Sequence, residues 1–161
     1  MAQRLLALAL LVVAAGSVRG EELRNWFGDP FFRVRAAIPN CPVPRGPLMT
    51  EEDMRRSAHA RAERGTRCWQ EGACTRPNAY MYDADVAEAV RQRFAAGTVL
   101  KTATLWVTVQ RRIVWVEGCV QDSNAALEIA RLLKDVPDAE QVIVNVHRAG
   151  SVRPPYAVTA E

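Results

Sequence analysis

Two stretches of the C-terminal half repeat aliphatic or small residues at every second position. Leu105, Val107 and Val109 form the first, and Val114, Val116, Gly118 and Val120 the second. A period of two predicts two strands, with Gln110-Arg111-Arg112 turning the chain between them. Upstream, Val86, Val90 and Phe94 recur at helical spacing, and Asp85 followed by Glu88 predicts a capping-box start. Downstream, Ala126, Ile129, Leu132, Leu133 and Val136 predict a second helix beginning after Asp122. Val142, Val144 and Val146 then predict a third strand. The order α-β-β-α-β over residues 83–148 specifies an α+β, two-layer domain with two helices on one face of a three-stranded sheet.

Residues 21–80 have a different texture, rich in proline, arginine and turn formers, with the boundary near Arg76-Pro77-Asn78. Phe27, Phe31 and Phe32 surround Gly28-Asp29-Pro30, and Pro39 to Pro44 reads as a stiff, extended loop. Thr50 predicts a helix N-cap, with Glu51, Glu52 and Asp53 suited to the helix dipole and Gly65 as the stop. Few large apolar residues lie on this helix, so Arg55, Arg56, Arg61 and Arg64 read as a solvated face, with a basic patch as the alternative. The whole segment is expected to be a largely irregular or helical extension. Residues 149–161 read as a tail.

The N-terminus has its own pattern: a positive start through Arg4, an apolar run from Leu5 to Ala15, then small residues. That is the layout of a secretory signal peptide over residues 1–20, cleaved after Gly16 or Gly20. The run is too short to span a bilayer. Its removal takes Arg4 and Arg19, so 21 basic against 18 acidic residues becomes 19 against 18. A nearly neutral mature chain gives no support for nucleic acid as partner. A periplasmic location follows as the expectation.

An exported chain with four cysteines, Cys41, Cys68, Cys74 and Cys119, favours disulfides. No C-x-x-C, haem-attachment or paired zinc spacing is present, so neither metal nor cofactor is expected. Three pairings are open. Cys68 and Cys74 are near enough to pair locally, which would leave Cys41 for Cys119. Alternation places Trp106, Thr108, Ile113, Trp115, Cys119, Ile143 and His147 on the sheet face away from the helices. That face is too apolar to stand in water. The N-terminal segment, a second protein or lipid would cover it, and a Cys119 cross-link argues for the first. Trp106, Trp115 and Ile143 are the candidate partner face.

Residues 83–148 resemble a BON domain, the small module of bacterial periplasmic and outer-membrane-associated proteins. The similarity is carried by Leu105-Trp106-Val107-Thr108-Val109 with Ile113 through Val120, and by the second helix running into Val136-Pro137-Asp138-Ala139. Two positions depart from the family pattern. Arg111-Arg112 stands where a hairpin glycine is usual, and Asp138 replaces a glycine. Gly118 is kept, read either as a site where a helix backbone approaches closely or as a simple bulge. The resemblance implies association with anionic phospholipid, for which Arg91, Arg93 and Lys101 are the candidate contacts. The alternative is a protein-binding adaptor of the envelope, docking through Trp26, Trp69 and Tyr80. No nucleophile motif, phosphate loop or carboxylate pair is present, and the expectation is a binding protein rather than an enzyme.

Overall fold

The computed structural model describes residues 22–97, 100–151 and 153–159. The segment expected to be a signal peptide lies outside them. The elements in chain order are β1 (Phe31–Ala36), α1 (Glu51–Glu63), α2 (Thr66–Gln70), a 3-10 turn (Ala79–Tyr82), α3 (Asp83–Ala96), β2 (Thr104–Gln110), β3 (Ile113–Val120), α4 (Ala125–Leu132) and β4 (Gln141–Arg148). The sheet has four strands in the order β1-β2-β3-β4, antiparallel except for the parallel β3–β4 pair. A parallel pair needs a crossover connection, and α4 supplies it between β3 and β4.

The predicted three-stranded sheet is therefore incomplete, because β1 comes from the extension that was read as irregular. Phe31-Phe32-Arg33-Val34-Arg35-Ala36 alternates poorly, since Arg35 stands opposite Leu105 on the helix-covered face. A bulge between Arg33 and Arg35 shifts the register there. Arg35 donates to the carbonyls of Phe94 (2.6 Å) and Gly97 (3.1 Å), which closes the C-terminal end of α3 with a cation. An arginine that breaks the apolar alternation is thus a helix cap supplied from a neighbouring strand.

The main core lies between the helices and one face of the sheet. Val86, Val90 and Phe94 of α3 meet Leu105, Val107 and Val109 of β2 and Val114 and Val116 of β3, with Ile129, Leu133 and Val136 closing the other side. Each large side chain buried here contributes about 1.5–3 kcal/mol. In α4 the first core position is Ala125 and Ala126 is exposed, whereas Ile129 is buried where the sequence pattern placed it. Leu133 and Val136 stay in the core although they lie just past the end of α4.

The start of α3 also differs from expectation. The helix begins at Asp83 directly from the 3-10 turn, and no side chain caps it, so Asp85 and Glu88 form no capping box. Asp83 turns its carboxylate to the β2–β3 hairpin. Its two oxygens accept the backbone N–H groups of Arg111 (2.8 Å) and Arg112 (2.7 Å). Gln110 pairs with Ile113, so the loop is two residues, and Arg111 and Arg112 have φ of 49° and 66°. Positive φ at both positions is the type I′ geometry that matches strand twist. Arginine is strained there, and the carboxylate offsets the strain by binding both amides. Asp138, the other glycine replacement, likewise sits at φ 61°.

Burial pushes the Asp83 carboxyl up to about 6 from 3.8, against the opposing pull of the two amides. With the folded value above the unfolded one, the folded state holds the extra proton between those limits. Stability therefore falls as pH rises from about 4 to 6, by up to about 3 kcal/mol from this group. The half-buried Glu117, raised by desolvation, acts in the same direction. Chemical denaturation of wild type and Asp83→Asn across that range is expected to give a shallower slope for the variant. Parallel curves would show that Asp83 ionises as it does in the unfolded chain.

Gly118 has φ 146°, and a Cβ built on it would lie 2.1 Å from the Thr104 carbonyl oxygen and 3.0 Å from Leu105 Cα. The close approach is made by the β2 backbone, not by a crossing helix.

Candidate functional site

The sheet face away from the main core is covered mostly by the chain itself. Trp106 is 8% exposed and packs with Cys41 and Cys119, with Phe31 and Ile38 against them. The Cys41–Cys119 disulfide (Cα–Cα 5.8 Å) fastens the 37–46 loop across the sheet, and Cys68–Cys74 ties α2 to the turn that follows it. The Thr104 hydroxyl accepts from the Ile38 amide (2.7 Å) and donates to the Ile38 carbonyl (3.0 Å), so the loop is pinned beside the disulfide.

A second cover comes from the C-terminal tail. Pro44 bridges to Val158, the Arg45 amide donates to the Ala157 carbonyl (2.8 Å), and the Tyr156 hydroxyl donates to the Pro42 carbonyl (3.0 Å). Tyr156 is itself buried, and burial, with the Glu117 carboxylate adding to it, pushes its phenol up to about 12. Reading 149–161 as a plain tail missed this. A lone tyrosine between Pro155 and Ala157 carries no periodic signal.

Donor atoms of Cys41, Cys119 and His147 lie within 4.8 Å of one another. Both sulfurs are spent in the disulfide, which leaves one imidazole and no metal-ligand set in this form. His147 Nε2 sits 3.4 Å from Cys119 Sγ and 3.3 Å from the Tyr156 hydroxyl. With neither sulfur a thiolate, this group has no nucleophile to activate.

The candidate partner face divides. Trp106 is sealed beneath the 37–46 loop, whereas Trp115 and Ile143 remain half-buried nearer the hairpin. Of the other aromatic residues, Trp26 donates its indole N–H to the Met49 carbonyl (2.9 Å), and Tyr80 lies under Arg61 (3.5 Å to the ring centroid). Trp69 is 48% exposed beside the Cys68–Cys74 bridge.

Helix α1 buries no residue, in accord with its solvated reading, and Thr50 caps it through the Asp53 amide (3.1 Å). Arg55 and Arg56 pair with Glu51 and Glu52 one turn back. Arg61 is the exception. It pairs with the buried Asp29, is stacked between the rings of Phe27 and Tyr80, and is joined by Gln110, which also donates to Asp29. This buried ion pair ties α1 to the start of β1, and nothing in a surface-helix pattern marks one arginine out from its neighbours.

The candidate lipid contacts fall on and after α3. Arg91 is exposed, stacks on Phe32 (3.9 Å) and pairs with Glu88 (3.4 Å). Arg93 is exposed and donates to the Asp135 carbonyl (3.3 Å). Lys101 is exposed after the helix. Between α3 and the end of α4 lies a groove of about 520 Å³, lined by Ala89, Gln92, Arg93, Ala96, Gly97, Leu132 and Pro137. Of the three candidate cations, only Arg93 lines this groove. No helix among the described residues is long and apolar enough to cross a membrane.

No curated protein and no solved structure shows significant similarity to the chain. The family model of the BON domain matches residues 82–150, which opens at Tyr82 before α3 and ends just beyond β4. The αββαβ unit and the matched residues coincide in a single copy, and the sheet of this BON-like region is extended by β1, its reverse face covered by the segments on either side of it.

Proposed function

We propose that this protein is a non-enzymatic periplasmic binding protein that associates with anionic phospholipid surfaces through the α3–α4 groove. The carrying observation is the groove itself: small and apolar residues, Ala89, Ala96, Gly97, Leu132 and Pro137, with the Arg93 guanidinium at its rim. Arg91 and Lys101 add exposed positive charge on and after the same helix. Each cation near an anionic surface contributes about 1 kcal/mol, and acyl-chain contact with an apolar groove adds to that. The export signal read in residues 1–20 and the envelope setting typical of BON domains support the location.

Flotation with vesicles of neutral lipid, alone or mixed with phosphatidylglycerol, tests this. Binding is expected only with the anionic vesicles, and Arg93→Glu with Lys101→Glu is expected to weaken it at least about tenfold. Absence from both floating fractions would end the lipid reading. One observation favours a second reading, a protein adaptor: Trp69 is held half-exposed on α2, inside the segment that the Cys68–Cys74 disulfide closes. Absence of vesicle binding, with capture of envelope protein that survives high salt and vanishes in Trp69→Ala, would favour it over charge-driven lipid contact.

A further inference from the structure

The cover over the reverse face of the sheet is incomplete near the hairpin. There a cleft of about 200 Å³ is lined by Thr108, Trp115 and Glu117, with Arg45, Gly46 and Gln110 at its margin. Arg45, Gly46 and Gln110 also line a wider cleft of about 450 Å³ that runs to the first turns of α1. The two share a wall and form one trough.

Its polar groups are arranged for a ligand. Thr108 is 5% exposed, and its hydroxyl has no partner within the protein. A buried hydroxyl without a partner is costly, so this one is either a defect or an unused contact. Gln110 spends its amide N–H on Asp29 and keeps its carbonyl oxygen as an acceptor. Glu117 is half-buried beside Asn145, and desolvation raises its carboxyl. The Arg45 guanidinium is exposed and has no ion-pair partner among the described residues. Trp115 adds a half-buried apolar side chain to the lining.

Formal charge is balanced along this trough. Arg45 offsets Glu117, and in the wider part Arg56 offsets Asp53 at 3.3 Å. Cations and carboxylates occur together in both parts, so the lining does not single out a ligand of one sign. Hydrogen-bond donors and acceptors lining one cleft with an indole suit a neutral ring that carries several hydroxyls. We propose that the trough is a carbohydrate site. One pyranose of a neutral glycan rests against Trp115, its hydroxyls meeting Thr108, Gln110, Glu117 and Arg45, and the glycan continues along the wider part. The site is on the opposite face of the sheet from the α3–α4 groove, so it stands or falls separately from lipid binding.

Saturation-transfer NMR and chemical-shift titration of the full chain, disulfides intact, with chitotriose and maltotriose test the proposal. Glycylglycine serves as a zwitterionic control. Saturable binding of at least one trisaccharide is expected, unchanged by added salt and by Arg93→Glu. Trp115→Ala and Glu117→Gln are expected to weaken it about tenfold or more. Thr108→Val removes the unpartnered hydroxyl without changing shape, so it is expected to leave melting unchanged or raise it while weakening binding several-fold. No saturable binding of either trisaccharide at millimolar concentration would overturn the proposal, as would binding of glycylglycine alone. Undiminished binding in folded Trp115→Ala, Glu117→Gln and Thr108→Val would do the same.

Discussion

Replacing Cys41 and Cys119 together by serine is expected to lower the unfolding free energy by about 4.5 kcal/mol, read from denaturant titration under two-state conditions. The two residues are 78 positions apart, and a loop of that length confines the unfolded chain strongly. The Cys68–Cys74 bridge spans a separation of only 6, for which the same chain-entropy relation gives about 2 kcal/mol. The pair of double variants is therefore the informative comparison, since both add two hydroxyls and remove one bond. In the long-loop variant, serine hydroxyls also replace sulfur beside Trp106 and Tyr156, which adds to the loss. Equal losses from the two bridges, or a smaller one for Cys41–Cys119, would mean the unfolded chain is already restrained by other means.

Gly118→Ala is the second large effect. The added methyl would meet the Thr104 carbonyl oxygen at 2.1 Å, and that atom belongs to the backbone of the adjoining strand. No rotamer change relieves such a contact, so β2 and β3 must separate at the Leu105–Gly118 pair, in the middle of the main core. The positive φ of 146° adds strain for any residue with a Cβ. A loss of about 3–5 kcal/mol is expected, a large fraction of the stability that a domain usually has. Thermal melting by far-UV circular dichroism checks it. A shift of only a degree or two would show that the strands can part locally at little cost.

The residues that repeat were the ones the sequence made legible. Valine alternation placed β2, β3 and β4, and Val86, Val90 and Phe94 placed α3, because burial on one face imposes a period. The α+β class and the BON resemblance both rested on those ladders, and residues 82–150 match the family. What stayed hidden depends on single residues acting across the chain. Arg35 interrupts the pattern of β1 because it caps α3 from a bulge, so a strand looked like a loop. Asp83 serves the hairpin amides, which let two arginines occupy positions that glycine usually takes. Tyr156 reaches the disulfide from the tail, and Arg61 leaves its neighbours to pair with Asp29. The candidate cations were legible as charge, yet only the fold shows that Arg93 alone borders a groove.

The front of the chain is expected to belong to the same cooperative unit as the sheet of the BON-like region. Native-state hydrogen exchange on the oxidised protein reads this residue by residue. Amides of β1 that bond β2 are expected to open with the same free energy as those joining β2 to β3. In the Cys41→Ser, Cys119→Ser variant, the Ile38 amide under Thr104 should lose protection by more than the sheet does. If β1 and the 37–46 loop instead exchange far faster than β2 and β3 in the oxidised protein, the front segment is a loose appendage and the covered face is not a built feature.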